Sequence, residues 1–485
     1  MAPLRDRKYL LQTWGCQMNV HDSDRMEEVL QAFGWVAAES AETADLIVFN
    51  TCSVREKAEQ KLRSEVGKLA PLKHARPELV VAVAGCVAQQ EGEKLLKRIK
   101  HLDLVLGPDN ITELPGLVES LIAGGPPVAR TVFDLDAPSF LSAYPNPARG
   151  NVPVSAFVTT MKGCDERCSF CIVPTTRGPE RYRPAKDIVD EVHRWVEAGA
   201  REIVLLGQTV DSFRDPLLPA PASDDPDETQ FPSLLRLIAK EVPRLGRLRY
   251  TSPHPRHATP SLVRAHAEVD VLAHHVHLPV QSGSDRLLRR MIRRYDRAEY
   301  IERARRILSA RPDMTISTDV IVGFPGETDE DFDATMSHVE EVGFTQVFGF
   351  KFSPRPGTPA LKLGGPGKDV PEKVKAARLA RLFATVEAQN GVYIAGLVGS
   401  RATVLIEGAS KSGAHFQGRS ERNEIVHVEP VPGKELTGEL VEVEITGSHR
   451  YSIAGEVTQL AAASLPSSGS RRGRAHAPVR LPVVV

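Results

Sequence analysis

Short apolar runs alternate with stretches of helical periodicity through most of this chain. In its first third, apolar runs at 9–15, 45–51 and 79–85 are each followed by a helical pattern. Continuous apolar runs of this length are typical of strands that are buried on both faces of a parallel sheet. The pattern therefore predicts an open parallel α/β domain over residues 1–125.

Six further strand-like runs, again separated by amphipathic helical patterns, occupy the middle of the chain. They lie at 155–161, 202–206, 248–251, 275–280, 315–322 and 346–352. Six parallel strands that alternate with helices predict a partial barrel over residues 153–390. A linker rich in Pro and Gly, 126–152, is expected to join this barrel to the first domain.

The pattern changes again near residue 391, where short strands with alternating polarity begin. These runs, at 402–407, 424–428 and 440–445, predict a small antiparallel β-barrel over residues 391–460. The remaining segment, 461–485, carries four Arg and no acidic residue, and we expect it to be a disordered basic tail.

Composition and charge narrow the classes of protein that this pattern fits. The chain has 485 residues, of which 41% are hydrophobic, enough for about three domains. The net charge of −1 gives no overall attraction to nucleic acid, so any RNA contact must come from a local basic patch. The sequence has no apolar run near the ~20 residues of a membrane span and no apolar signal-peptide core. We therefore expect a cytoplasmic protein, in which structural disulfides are rare.

Three of the six cysteines, Cys164, Cys168 and Cys171, lie in one tight loop after the first barrel strand. Their spacing, C-x3-C-x2-C, offers three thiolates to a [4Fe-4S] cluster and leaves one iron without a protein ligand. Structural zinc needs four ligands and finds neither a His nor a fourth Cys nearby in sequence. A thioredoxin-like pair of Cys168 and Cys171 would leave Cys164 unexplained.

The other three cysteines, Cys16, Cys52 and Cys86, each follow one of the apolar runs of the first domain. Because ligand sites of open α/β sheets lie at the carboxyl ends of the strands, these cysteines can converge on one point. They would then hold a second cluster with an open iron. The alternative is that each is a buried cysteine acting as a small apolar residue, which does not predict the same placement three times.

Several motifs around these cysteines resemble those of the radical S-adenosylmethionine (SAM) methylthiotransferases, and the resemblance covers about residues 8 to 459. Within that family, the motifs at 15–19 and 353–358 are most similar to the MiaB type, which modifies tRNA. The motifs are TWGCQMN (13–19), NTCSVR (50–55), AGCVAQ (84–89), GCDERCSFCIVP (163–174), TRG (176–178), LLGQ (205–208), HLPVQSGSD (277–285), DVIVGFPGET (319–328) and FSPRPGT (352–358).

The resemblance implies an incomplete (β/α)6 radical SAM barrel, two [4Fe-4S] clusters and SAM as cofactors, and catalytic roles for all six cysteines. It implies that the Cys164/Cys168/Cys171 cluster chelates SAM and generates a radical, while the Cys16/Cys52/Cys86 cluster carries sulfur. The expected reaction is methylthiolation at carbon 2 of a prenylated adenine beside the tRNA anticodon. A reductant protein such as flavodoxin or ferredoxin is the expected electron donor, the chain is expected to be monomeric, and the sequence does not identify the sulfur donor.

Residues that follow successive barrel strands are candidates for binding SAM. A glycine such as Gly207 lets the backbone approach a ligand closely, and amide or hydroxyl side chains can bind ribose or carboxylate groups. Ordinary β-to-α turns are rich in the same residue types, so the alternative for each position is a turn. The candidates are Phe170, which occupies the aromatic position of the cysteine motif, and Gly207, Gln208, Gln281, Ser282 and Gly323.

The last domain resembles TRAM, an OB-like RNA-binding module, in its segments 408–411, 418–423 and 447–451. The expected phosphate contacts are Lys411, Arg419, Arg422, His449 and Arg450, although loop cations are commonly only solvated. Two alternatives to the MiaB-type function stay open. One is a sister methylthiotransferase that acts on threonylcarbamoyl-adenosine or on a ribosomal protein aspartate, and the other is a non-catalytic iron-sulfur RNA-binding protein.

Overall fold

The computed structural model describes residues 7–53, 56–136, 138–145, 152–221, 223 and 225–460. The predicted tail, 461–485, lies outside these residues. The chain divides into two units, and it passes between them within the cysteine loop. The first unit comprises Met1–Ala143, Lys162–Glu166 and Cys171–Arg181, and the second comprises Tyr144–Met161, Arg167–Phe170 and Tyr182–Val485. No helix among the described residues is long and apolar enough to cross a membrane.

The first unit contains a parallel sheet with the strand order β2-β1-β3-β4-β5-β6. Every residue of β3 and β4 is buried, and a separate apolar cluster covers each face of the sheet. This confirms the open parallel α/β fold. The strands are β1 (Lys8–Trp14), β2 (Val36–Ala37), β3 (Leu46–Thr51), β4 (Val80–Ala84), β5 (Leu104–Leu106) and β6 (Val128–Arg130), and the helices are α1 (Gln17–Ala32), α2 (Glu56–Lys68), α3 (Ala70–Ala75), α4 (Cys86–Glu91), α5 (Glu93–Arg98) and α6 (Leu114–Ile122).

The six strands predicted for the barrel all form, and they pair in parallel as β7-β10-β11 and β12-β13-β14. A bridge between Leu248 and Leu272 connects the two halves. The strands of this region are β7 (Ser155–Thr159), β8 (Met161–Lys162), β9 (Arg181–Tyr182), β10 (Glu202–Leu206), β11 (Arg247–Tyr250), β12 (His275–His277), β13 (Thr315–Val322) and β14 (Gln346–Lys351). The helices are α7 (Val173–Arg177), which belongs to the first unit, and α8 (Ala185–Ala198), α9 (Phe231–Glu241), α10 (Pro260–Glu268), α11 (Asp285–Arg290), α12 (Arg297–Leu308), α13 (Asp329–Val342) and α14 (Glu372–Gly396).

Five strands after α14 close into a small barrel with the order β15-β16-β17-β19-β18, as the alternating pattern predicts. Its pairs are antiparallel except for β17 with β19. The strands are β15 (Arg401–Ala409), β16 (Phe416–Ser420), β17 (Ile425–Val428), β18 (Leu440–His449) and β19 (Ser452–Leu460).

The turn at 419–422, which includes the last two residues of β16, lies against the N-terminal ends of the larger barrel's strands. The guanidinium of Arg247, at the start of β11, donates to the carbonyl oxygen of Thr403 over 2.8 Å and also to carbonyls of this turn. The backbone N–H of His274 donates to the carbonyl oxygen of Glu421 over 2.9 Å. Within the second unit, the small barrel is therefore docked through buried backbone hydrogen bonds.

Candidate active site

Cys16, Cys52 and Cys86 lie at the carboxyl ends of β1, β3 and β4, three neighbouring strands of the first unit's sheet. Cys52 and Cys86 are buried, and Cys16 is half-buried. The Cys16 thiol is hydrogen-bonded to that of Cys52, and this bond lowers its pKa to about 6 against the opposing effect of burial. Burial raises the pKa of the Cys86 thiol, and the positive charge of Arg177 opposes that rise.

Arg177, the last residue of α7, is a buried cation that interacts with Cys86 and Cys16, and the sequence does not assign it to the site. Its Nε donates to the Sγ atom of Cys86 over 3.3 Å, and its Nη2 donates to Oδ2 of Asp22 over 2.6 Å. Although burial alone would raise the pKa of Asp22, the guanidinium holds it below its usual range. Asp22 therefore remains ionised and fixes the orientation of Arg177.

A pair of buried asparagines braces the segments that carry Cys16 and Cys52. Asn50 donates from Nδ2 to the carbonyl oxygen of Asn19 over 2.7 Å, and Asn19 donates from Nδ2 to Oδ1 of Asn50 over 3.1 Å. Oδ1 of Asn19 also lies 3.5 Å from the Sγ atom of Cys16. The sequence signal for this pair was present, because both asparagines are polar residues within the cysteine motifs.

In the first unit's part of the cysteine loop, backbone geometry places Cys164 and Cys171. Gly163 has φ +78°, and a Cβ there would lie 1.9 Å from the carbonyl oxygen of Pro179, so only glycine fits. The N–H of Cys164 donates to the carbonyl oxygen of Gly178 over 3.1 Å. The N–H of Val173 points at the Sγ atom of Cys171 over 3.4 Å.

In the second unit's part of the loop, a second buried arginine contacts a cysteine. Nη1 of Arg293 donates to the Sγ atom of Cys168 over 3.0 Å, and Nε of Arg293 donates to the hydroxyl of Tyr295 over 2.9 Å. Phe170 packs against a small apolar cluster that includes Met291 and Phe324. These contacts anchor this part of the loop to the barrel.

The residues proposed from the sequence to bind SAM all follow barrel strands, as their spacing requires. Gly207 and Gln208 come directly after β10, and the N–H of Gln208 donates to Sδ of Met161 over 3.3 Å. A Cβ on Gly207 would lie 2.8 Å from Cγ of Met161. The close packing of the backbone at residue 207 against the Met161 side chain therefore requires glycine, with or without a ligand.

Gln281, Ser282 and Gly323 follow β12 and β13. Gln281 has φ +70° and exchanges backbone hydrogen bonds with β13, while the Ser282 hydroxyl lies 3.2 Å from that of Thr335. The N–H of Gly323 donates to the carboxylate of Glu327, and a Cβ at Gly323 would meet the side chain of Lys375 at 2.4 Å. Packing against Lys375 is therefore sufficient to explain why residue 323 is a glycine. Its contact with SAM stays a prediction.

The basic residues predicted to contact phosphate occupy different environments. The Arg422 side chain is 8% exposed and pairs with Glu424 over 3.2 Å, so it is removed from the candidate RNA contacts. Arg450 is exposed and pairs with Glu387, whereas Lys411 is exposed at the turn after β15. Burial of Arg422 follows from its position in the turn that docks against the larger barrel.

The cysteine environments fit iron-sulfur clusters by their donor chemistry. Each set of three supplies thiols, and hydrogen-bond donors aimed at thiolate sulfurs are the groups that tune a cluster. Among the residues that the structure describes, no three His, Cys, Asp or Glu side chains are arranged so that they could hold a single metal ion. Cubane ligation does not require such an arrangement, because each thiolate binds a different iron.

Comparisons with known proteins cover nearly the whole chain. Residues 8–107 match the family model described as Uncharacterized protein family UPF0004, residues 158–339 match the Radical SAM superfamily, and residues 396–458 match the TRAM domain. A tRNA-2-methylthio-N(6)-dimethylallyladenosine synthase from Sorangium cellulosum is 58% identical over 496 residues, covering 98% of this chain and 99% of its own. A protein of the same name from Cupriavidus taiwanensis is 43% identical over 459 residues, covering 93% and 99%. Among solved structures, a radical S-adenosylmethionine methyltransferase from Kitasatospora setae aligns with a TM-score of 0.49 at 15% identity, over 73% of this chain and 77% of its own.

Proposed function

Since this chain belongs to the tRNA-2-methylthio-N(6)-dimethylallyladenosine synthase family, we propose that it adds a methylthio group to carbon 2 of N(6)-dimethylallyladenosine in tRNA. The observation that carries the proposal is the 58% identity over 98% of the chain. The positions of all six cysteines, at strand ends and in one loop after β7, support it. The chain is accordingly a radical SAM enzyme that acts on RNA.

We assign Cys164, Cys168 and Cys171 to the cluster that chelates SAM, and Cys16, Cys52 and Cys86 to a second cluster. When bound, these groups supply the electron, the carbon radical, the methyl group and the sulfur, chemistry that side chains cannot provide at neutral pH. The chain itself binds and orients them. Arg293 and Arg177 each direct a guanidinium N–H at one cysteine sulfur, so each proposed cluster has a charged hydrogen-bond donor at one of its ligands.

We further propose that Phe170, Gly207, Gln208, Gln281, Ser282 and Gly323 line the SAM site, and that the small barrel holds the tRNA backbone. Each of the strand-end residues lies where ligands bind in parallel α/β barrels, at the carboxyl ends of the strands. For the small barrel, the exposed cations Lys411 and Arg450 support contact with phosphate.

The proposal is tested with anaerobically reconstituted protein, SAM, a chemical reductant and an anticodon stem-loop RNA that carries N(6)-dimethylallyladenosine. Mass spectrometry of the digested RNA should detect the 2-methylthio nucleoside, with 5′-deoxyadenosine and S-adenosylhomocysteine as co-products. The Cys168→Ala variant is the matched control and should form none of the methylthio product. Product on a threonylcarbamoyl-adenosine RNA instead would point to the sister activity, and binding without SAM cleavage would point to a non-catalytic protein.

A further inference from the structure

The inner face of the last barrel strand carries two phenylalanines. Gly349 in β14 faces α14, because a Cβ there would lie 2.7 Å from the side chain of Leu379. Since side chains alternate along a strand, Phe348 and Phe350 point the other way, into the barrel. Phe350 is 39% exposed, an unusual state for a phenyl ring on the inner face of a barrel.

Polar groups of the neighbouring strands lie beside these rings. Asp319 of β13 is directly opposite Phe348 in the strand register, and Ile321 is opposite Phe350. Nε2 of His277 lies 3.3 Å from Oδ2 of Asp319, and its ring contacts Phe348 edge-on with centroids 5.6 Å apart. The side chains of His277 and Asp319 are 23% and 27% exposed, so this carboxylate remains accessible inside the barrel.

This surface, which we call the β13–β14 face (Asp319, Ile321, Phe348 and Phe350), extends to the cysteine loop. Ile321 and Phe170 pack against the same apolar cluster, which contains Leu287 and Phe324. Phe170 lies between Cys168 and Cys171 in sequence. A planar group on this face would therefore lie inside the barrel on the side that leads to the loop of the radical-generating cluster.

We propose that the β13–β14 face binds the target base, with Asp319 accepting a hydrogen bond from the N6–H group and the Phe350 ring packing against the dimethylallyl chain. This inference rests on the proposed function, which supplies the prenylated adenine. That base combines an aromatic plane, one exocyclic N–H donor and a branched apolar chain. The face offers aromatic surface and a carboxylate acceptor next to it, so the two are complementary.

The test measures dissociation constants of the reconstituted full-length protein for two anticodon stem-loop RNAs, one with N(6)-dimethylallyladenosine and one with unmodified adenosine. In the Phe350→Ala variant, affinity for the prenylated RNA should fall about tenfold while affinity for the unmodified RNA stays the same. In Asp319→Ala, both affinities should fall by a similar factor, because both bases present an N6–H and the variant has no side-chain acceptor for it. Lys351→Ala is the matched control, since Lys351 is the next residue of β14, faces the other way and pairs with Glu372.

Iron content and thermal melting of each variant establish that the affinities are compared between folded proteins that contain their clusters. An unchanged affinity ratio in Phe350→Ala would overturn the assignment, and so would an effect confined to the KM for SAM, which would place SAM on this face. If the unsubstituted protein itself does not prefer the prenylated RNA, the proposed function fails at its substrate. If it does prefer that RNA and Phe350→Ala keeps the preference, only the present inference fails.

Discussion

Arg177 donates its Nε–H to the Sγ atom of Cys86 over 3.3 Å, from a helix that begins two residues after Cys171. Cys171, a ligand proposed for the radical-generating cluster, therefore lies only six residues before Arg177. Arg177 in turn contacts Cys86, a ligand proposed for the sulfur-carrying cluster. Asp22 holds that cation in place. The Arg177 side chain thus both ties α7 to Asp22 and places a positive charge at the Cys86 sulfur.

Replacing Arg177 by Met should lower the reduction potential of the Cys16/Cys52/Cys86 cluster. Removing a positive hydrogen-bond donor from a ligand sulfur destabilises the reduced cluster, which carries the additional negative charge. The potential is measured by dye-mediated titration of the full chain in which Cys164, Cys168 and Cys171 are replaced by Ala. Arg177→Lys, which keeps the charge, should shift the potential less than Arg177→Met.

Arg293→Met is the control for this measurement, because Arg293 donates to Cys168 instead. It should lower the potential of the other cluster, measured in a chain that lacks Cys16, Cys52 and Cys86. If Arg177→Met moved neither the potential nor the spectrum of its own cluster, the 3.3 Å contact would be a matter of packing only.

Two independent clusters should be evident from iron content. Replacing Cys164, Cys168 and Cys171 together by Ala should leave about half of the iron and sulfide of the reconstituted protein, because three ligands are lost from one site only. Replacing Cys16, Cys52 and Cys86 should do the same. Iron and sulfide analysis checks this, and full iron in either triple variant would contradict the assignment of two clusters.

Arg247→Ala should destabilise the docking of the small barrel against the larger one. Arg247 is 3% exposed, and its guanidinium donates to carbonyl oxygens of Thr403, Arg419 and Ser420. The carbonyl of Ser420 keeps a bond from Arg249, but those of Thr403 and Arg419 lose this donor. A buried acceptor left unsatisfied costs about 1–3 kcal/mol, so the free energy of unfolding should fall by about 2 kcal/mol. Urea unfolding measures the loss. Arg244→Ala, which removes an exposed pair with Glu197, should change it by less than about 1 kcal/mol.

This docking also limits what removal of the small barrel can show about RNA binding. Truncation before residue 391 would strip the partners from Arg247 and from the N–H of His274. The role of the small barrel in RNA binding is therefore better tested by substituting exposed cations such as Lys411, which leaves the docking turn at 419–422 intact.

Local patterns were sufficient to predict the six barrel strands and the position of each cysteine, because burial on both faces produces apolar runs and strand ends define ligand sites. The strands β16 and β19 escaped prediction because one inward position in each is a glycine. A Cβ at Gly418 would lie 2.2 Å from the carbonyl oxygen of Leu405, and one at Gly455 would lie 2.3 Å from Cγ1 of Val443. The small barrel needs glycine there, and glycine interrupts the alternation.

Contacts between residues far apart in sequence were not predictable in the same way. Arg177 and Cys86 are separated by 91 residues, and Arg293 and Cys168 by 125. Arg177 lies in the TRG motif at 176–178, but neither that motif nor the sequence around Arg293 indicates a contact with a sulfur. Only the folded chain shows that each arginine is buried against one. The same holds for Arg422, which the resemblance to TRAM made an expected phosphate contact and which the fold buries.

A comparison of Cys52→Ala with Cys168→Ala tests the division of labour between the two cysteine sets. Cys52→Ala removes one ligand proposed for the sulfur-carrying cluster and leaves all three ligands proposed for the other cluster in place. SAM should therefore still be cleaved to 5′-deoxyadenosine, while methylthio-RNA falls to background. Cys168→Ala should abolish both products, because no iron would be held to chelate SAM.

Both products must be quantified in the same anaerobic sample, so that the ratio of 5′-deoxyadenosine to methylthio-RNA reports uncoupling directly. Cys52→Ser is the conservative companion variant. Its hydroxyl can still form a hydrogen bond with Cys16, as the Cys52 thiol does, but it is a poor ligand for iron. Cys52→Ser should behave like Cys52→Ala, since the missing function is ligation and not the hydrogen bond. A normal rate of methylthio-RNA formation in either variant would make the first-unit cysteines structural, and the assignment of a sulfur-carrying cluster to them would be wrong.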